Sequence, residues 1–198
     1  MYPEAIRQLI ESFKCFPGIG EKTAERLSFS VLDIDLEQVE FFSNALLNAK
    51  KNIKLCSVCN LISDDDICSI CSNKLRDSGV LCVVEDSKSV FLFEKFGMFN
   101  GYYHVLDGLI SPLEGINPED IGINKLLKRL DTGDYHEIIF AFKPSIEGET
   151  TALYIKRILD GFGIRVTRLA SGVPIGADME YLDPLTLERA INDRKDIE

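Results

Sequence analysis

Two Cys-x-x-Cys pairs, Cys56 with Cys59 and Cys68 with Cys71, stand eight residues apart. Each pair has the spacing at which one turn aims two thiolates at a single tetrahedral ion. The stretch between them, from Asn60 to Ile67 with Asp64, Asp65 and Asp66, is too polar to build a core of its own. A bound metal supplies what is missing, since zinc contributes about 10 to 16 kcal/mol of apparent binding energy in small peptides. Four sulfur ligands leave no position for water, which makes the expected site structural Zn2+ rather than catalytic. The alternative is a pair of redox-active or unbound dithiols. Cys15, where a first helix ends, and Cys82, inside an apolar strand, are expected to be small core residues.

Composition bounds the rest. The chain has 198 residues, 45% of them hydrophobic, enough for a real core and for two or three small modules. No stretch approaches the ~20 apolar residues of a membrane span. The start, MYPEAIRQLIESFK, lacks the basic flank and apolar run of a secretory signal. The expected location is therefore the cytoplasm, where paired cysteines hold metal more often than they form disulfides. A net charge of -10 works against polyanion binding as a whole. Positive charge is nevertheless local, in Lys50, Lys51 and Lys54 and in Lys22 and Arg26 beside a glycine turn, so any DNA binding is expected to be salt-sensitive and confined to one region.

Hydrophobic periodicity predicts a helix from Ala5 to Phe13, a break at Pro17-Gly18-Ile19-Gly20, a second helix carrying Ala24, Leu27 and Val31, and a third after Asp35. Asp35 and Gln38 have the spacing of a capping box. Beyond the cysteines, strands are predicted at Val80–Val84, Tyr102–Leu106, Glu137–Phe142 and Arg165–Leu169. They alternate with helices at Ser87–Phe96, Asn124–Leu130 and Glu147–Leu159, and a last polar helix spans Pro184–Arg194. Such alternation implies a parallel sheet with helices on its faces. The predicted fold class is thus multidomain α and β: a helical domain at 1–54, a small four-cysteine zinc finger at 55–74, an α/β domain at 78–172 and a C-terminal segment and helix at 173–198.

Pro17-Gly18-Ile19-Gly20-Glu21-Lys22-Thr23-Ala24 has the form of a helix-hairpin-helix. Gly18 and Gly20 permit the sharp turn, and the free amides of the next helix favour a phosphate. Lys22 and Arg26, four residues apart, add cations to the same track, so the candidate DNA-binding residues are Gly18, Gly20, Lys22 and Arg26. A plain tight turn between packed helices is the alternative.

Glu85 and Asp86 directly follow one predicted strand, and Glu147 and Glu149 follow another across Pro144. Parallel sheets collect functional groups at this carboxyl edge, where these acids could bind Mg2+ or a basic partner. The arrangement resembles a Toprim domain, with Glu85 in the place of its first glutamate. Catalytic members of that fold carry Asp-x-Asp where this chain has Glu147-Gly148-Glu149, and His104 and His136 read as structural. Solvated first turns of helices are the alternative for the acids.

In this order, helix-hairpin-helix, four-cysteine finger and Toprim-like domain, the chain resembles the RecR family of bacterial recombination mediators along essentially its whole length. Specific strings include Tyr103-His104-Val105-Leu106, Leu109-Ile110-Ser111-Pro112-Leu113-Glu114-Gly115-Ile116, Glu147-Gly148-Glu149-x-Thr151-Ala152 and Val166-Thr167-Arg168-Leu169-Ala170-Ser171-Gly172-Val173-Pro174. It departs from the family pattern at Lys143 and Asp107, where asparagine and glycine are usual. The resemblance implies a non-enzymatic DNA repair protein that assembles as a dimer or ring-like tetramer. It also implies action with RecO and RecF on single- and double-stranded DNA without sequence specificity, and help in loading recombinase on gapped DNA. By its place in the chain, the zinc finger is expected to hold the junction between hairpin and sheet. The rival readings are a magnesium-dependent Toprim enzyme using Glu85, Glu147 and Glu149, and a zinc-dependent interaction module without DNA contact.

Overall fold

In the computed structural model, which describes residues 2–170 and 172–194, the chain divides into two compact units, Met1–Ile53 and Lys54–Glu198. The first holds three helices: α1 (Glu4–Lys14), α2 (Glu21–Leu32) and α3 (Leu36–Asn52). Helices α1 and α2 bury Ile6, Ile10 and Ala24 against each other, with Phe13 and Ile19 packed at the margin. Ile6, Ile10, Phe13 and Ala24 are among the positions that the helical period of the sequence selects, whereas Ala5, also selected, is exposed and Ile19 belongs to the turn. Two expectations fail here. Asp35 stands at the N-cap of α3, but its side chain makes no capping hydrogen bond. Cys15 is exposed rather than buried, because the helix ends one residue earlier and the chain turns outward toward Pro17.

The second unit opens with a short antiparallel pair, β1 (Lys54–Leu55) and β2 (Ile62–Ser63), and the one-turn helix α4 (Ser69–Ser72). The sheet follows: β3 (Asp77–Val84), α5 (Ser87–Phe96), β4 (Gly101–Val105), α6 (Ile123–Thr132), β5 (Glu137–Ala141), α7 (Ile146–Leu159) and β6 (Arg165–Arg168), with α8 (Pro184–Asn192) last. Its order is β4-β3-β5-β6, all parallel. The central strands β3 and β5 read as apolar runs because both of their faces are covered. Leu81, Val83, Ile138 and Phe140 enter one core with Leu126, Leu130 and Ile155. On the other face Cys82 and Val84 meet Val90, Tyr103, Val105 and three of the four paired cysteines, Cys56, Cys59 and Cys68. Cys82 is thus the core residue its strand predicted. Ser171, in one of the strings quoted above, lies outside the described residues, as do positions 195–198 of the C-terminal segment.

One ion pair anchors α5 to this second core. The Arg76 guanidinium, its side chain only 9% exposed, binds both oxygens of Glu94 at 2.6 and 2.8 Å. It also donates to the carbonyls of Gly101 and Phe99, and the Tyr103 hydroxyl donates to Glu94 at 2.9 Å. Arg76 first, and then the Tyr103 hydroxyl, hold the Glu94 carboxyl below the usual carboxylate range. A carboxyl depressed in the folded state stabilises above its unfolded pKa, and that stabilisation is lost as pH falls through the folded value. Glu94→Gln is expected to cost about 2 to 3 kcal/mol at pH 7, since it leaves a buried guanidinium short of its partner. In urea titrations the difference from the parent protein should shrink as the pH is taken below about 4.

Candidate metal centre and nucleic-acid interface

The β1-β2 hairpin carries the first cysteine pair. Cys56 N donates to Leu61 O at 2.7 Å and Asn60 N to Cys56 O at 2.9 Å, closing the loop around Cys59. Cys68 caps α4 and Cys71 lies within it, so the second pair comes from a helical turn. All four sulfurs lie within 4.8 Å of one another, and Cys59 Sγ and Cys68 Sγ are 3.6 Å apart. A tetrahedral ion with Zn–S bonds of about 2.3 Å has sulfur–sulfur edges of about 3.8 Å, close to the Cys59–Cys68 separation and inside the 4.8 Å that bounds the others. Backbone amides of Cys68 and Cys71 point at the sulfurs of Cys56 and Cys68, at 3.3 and 3.4 Å. The crowding splits the thiols: Cys68, facing Cys59 and Cys71, is pushed far down, while Cys59 is pushed up by its hydrogen bond to Cys68. A divalent ion resolves this by taking every sulfur as thiolate. The donor set therefore fits structural zinc, and among the described residues it is the one group of three or more His, Cys, Asp or Glu close enough to share an ion.

What the sequence did not reveal is how this loop is fastened to the sheet. Asn60 adopts a left-handed backbone, φ 65°, and is 4% exposed. Its Nδ2 donates to Asp107 Oδ1 at 2.7 Å and Val105 O at 3.2 Å, while Oδ1 accepts from Lys125 Nζ at 3.1 Å. Val105 N adds a bond to Cys59 O at 2.8 Å. The zinc loop is thereby pinned to the end of edge strand β4. An asparagine just after Cys-x-x-Cys was the available signal, because few residues other than glycine accept this conformation. Asn60→Ala is expected to cost about 2 to 4 kcal/mol, combining backbone strain with the lost bonds. Zinc transfer to a chromophoric chelator should also quicken, and Asn60→Gly should recover the backbone part only.

In the first unit, Gly18 has φ +82°, a conformation that L side chains rarely adopt. A Cβ at Gly18 or Gly20 would meet nothing within 4 Å, so the outer side of the turn is open. Gly20 is the N-cap of α2 and offers no side chain to its first amides. Lys22 and Arg26 are both exposed, and neither forms an ion pair among the described residues. Of the two acids beside them in sequence, Glu21 is held by Lys14 at 2.6 Å, and Glu25, next to Arg26, forms no ion pair with either cation among the described residues. The turn thus presents open amides and two exposed cations that no ion pair holds among the described residues.

The carboxylates at the sheet edge have mostly local employers. Asp86 caps α5, accepting from Ser89 N at 2.8 Å and Ser89 Oγ at 2.9 Å. Glu149 takes both its bonds from Arg168, at 2.8 and 2.9 Å. Glu147 is lowered by the Ser145 hydroxyl, and Glu85 accepts from Lys143 N at 3.3 Å. The strands bring these residues to one edge, but among the described residues no three of them form a ligand set. Gly148 lets α7 start close to Lys143, whose carbonyl would stand 2.2 Å from any added Cβ. His104 is buried with Nδ1 unpartnered, and burial, aided by Arg129 and Lys125, pushes it down to about 3. It is thus a neutral core imidazole at pH 7.

Fold and centre together define a class: a parallel Toprim-type sheet preceded by a four-cysteine finger and a helix-hairpin-helix. Family comparisons agree part by part. A Toprim domain model matches residues 79–170, and models for the RecR helix-hairpin-helix, the RecR four-cysteine zinc finger domain and the RecR C-terminal region match residues 6–50, 53–73 and 172–195. The chain belongs to the RecR family. Membership implies the role of a recombination mediator, in a family that is generally non-catalytic.

Proposed function

We propose that this protein is a DNA-binding mediator of RecF-pathway repair, acting with RecO and RecF to help load recombinase on gapped single-stranded DNA. The observation that carries the reading is the open glycine turn with Lys22 and Arg26, exposed and without an ion pair among the described residues, in a chain that matches three RecR-family models and a Toprim domain model in order. The proposed DNA contacts are Gly18, Gly20, Lys22 and Arg26. Backbone amides and cations grip phosphate and read no base, so single and double strands of any sequence are substrates. A dimer or tetrameric ring would gather these cations into one channel while acid elsewhere keeps the assembly soluble, in keeping with a net charge of -10. The working domains are 1–54, 55–74, 78–172 and 173–198, and the working compartment is the cytoplasm.

Glu85, Asp86, Glu147 and Glu149 are assigned to a basic protein partner, with RecO the candidate. Magnesium has their position at the carboxyl edge in its favour, and the Arg168 ion pair and the Asp86 cap against it. The deciding experiment measures solution mass and DNA binding together, with and without RecO, and incubates labelled DNA with magnesium or manganese. The mediator reading expects an oligomer that binds DNA, joins RecO and leaves the strands intact. Cleavage or synthesis abolished by Glu85→Gln would replace it with a Toprim enzyme.

A further inference from the structure

Helix α5 has two unlike faces. Inward, Val90 is fully buried, Phe93 stacks on Tyr103 with centroids 6.3 Å apart, and Glu94 is held by Arg76. Outward, Lys88, Phe91, Leu92, Lys95 and Phe96 follow one another at helical i, i+3, i+4, i+7, i+8 spacing. All five are exposed, Phe91, Leu92 and Phe96 by 46, 55 and 61%, and Met98 extends the surface just past the helix at 74%. The inward anchors fix the orientation of the helix, so this apolar stripe is a built feature rather than a loose segment. Contiguous exposed apolar surface rimmed by charge marks an interaction site.

We propose that the outer face of α5 docks an acidic protein segment that carries aromatic or aliphatic anchors. The charge pattern selects this occupant. The stripe is flanked by two lysines, and the one carboxylate within the helix, Glu94, is turned inward and neutralised by Arg76. In a protein of net charge -10, such a cationic rim around apolar side chains rejects basic segments and favours acidic ones. Single-stranded nucleic acid fits less well. Two lysines release few counterions, Leu92 has no ring for a base to stack on, and Lys95 Nζ already lies 6.0 Å from the Phe96 centroid. The expected mode is an amphipathic segment laying its apolar residues along the stripe.

The test is a peptide-display selection on the zinc-loaded full chain, counter-selected with a Leu92→Glu, Phe96→Glu variant whose circular dichroism and melting match the parent. Enriched peptides should combine two or more apolar anchors with an excess of Asp and Glu. Their affinity should fall at least tenfold with Lys88→Glu, Lys95→Glu, and fall with added salt. No differential enrichment, or enrichment of neutral or basic peptides, overturns the proposal. So does competition by single-stranded oligonucleotide, or a lower oligomeric mass of the Leu92→Glu, Phe96→Glu variant, which would make the face nucleic-acid-binding or a contact between copies. Lys22 and Arg26 are untouched in every variant, so this result is separable from the DNA-binding reading.

Discussion

Stripping the metal from the four-cysteine centre, or replacing Cys68 with serine, is expected to lower stability by at least about 5 kcal/mol, roughly 10 to 20 °C in melting temperature. The size follows from what shares a core with the sulfurs. Cys56, Cys59 and Cys68 are each 3% exposed or less and pack in one cluster with Val84, Val90, Tyr103 and Val105 of the sheet and α5. Without the ion, four crowded thiols must hold protons in that space, and the polar loop from Asn60 to Ile67 loses its organising centre. The damage should spread along the Asn60 contacts to the end of β4, where hydrogen exchange of the Val105 and Leu106 amides should accelerate. Calorimetry alongside metal analysis makes the check. A zinc-free protein melting within about 2 °C of the loaded one would remove the structural role.

Replacing Lys22 and Arg26 together by alanine should weaken DNA binding roughly 10- to 100-fold at moderate salt, equally for unrelated sequences. The reasoning is electrostatic. Each cation lost from the phosphate track lowers the slope of log affinity against log salt by about 0.9 for duplex DNA, so the pair should lower it by about 1.8. Both side chains are exposed and lie outside the Ile6, Ile10 and Ala24 core, so the fold should be unaffected. Fluorescence anisotropy across a salt series, with two oligonucleotides of unrelated sequence, reads affinity, salt slope and sequence dependence together. An unchanged slope would place the DNA elsewhere on the molecule.

Some features were legible because their physics is local in the chain. Cysteines two residues apart meet through one turn whatever surrounds them, and Gly18 follows from a backbone angle that side chains resist. Apolar period marked the three N-terminal helices and four strands, and alternation of strand and helix implied their parallel order. The misses lie where one residue's role depends on another far along the chain, or on where an element stops. Nothing in the sequence showed that Asp86 also caps α5 or that Glu149 binds Arg168, 19 positions away. Cys15 was expected inside by its residue type, yet the end of α1 leaves it facing solvent.

The sequence alone determined the cysteine quartet, the hairpin turn and the α/β class, because spacing and period act over a few residues. Only the tertiary structure decided that Asn60 joins Asp107 and Lys125 across separations of 47 and 65 residues, and that Arg76 and Glu94 anchor α5 beneath an apolar outer face. Pairing of that kind is chosen by which strands lie side by side. It decides which charges are used internally and which remain for a partner.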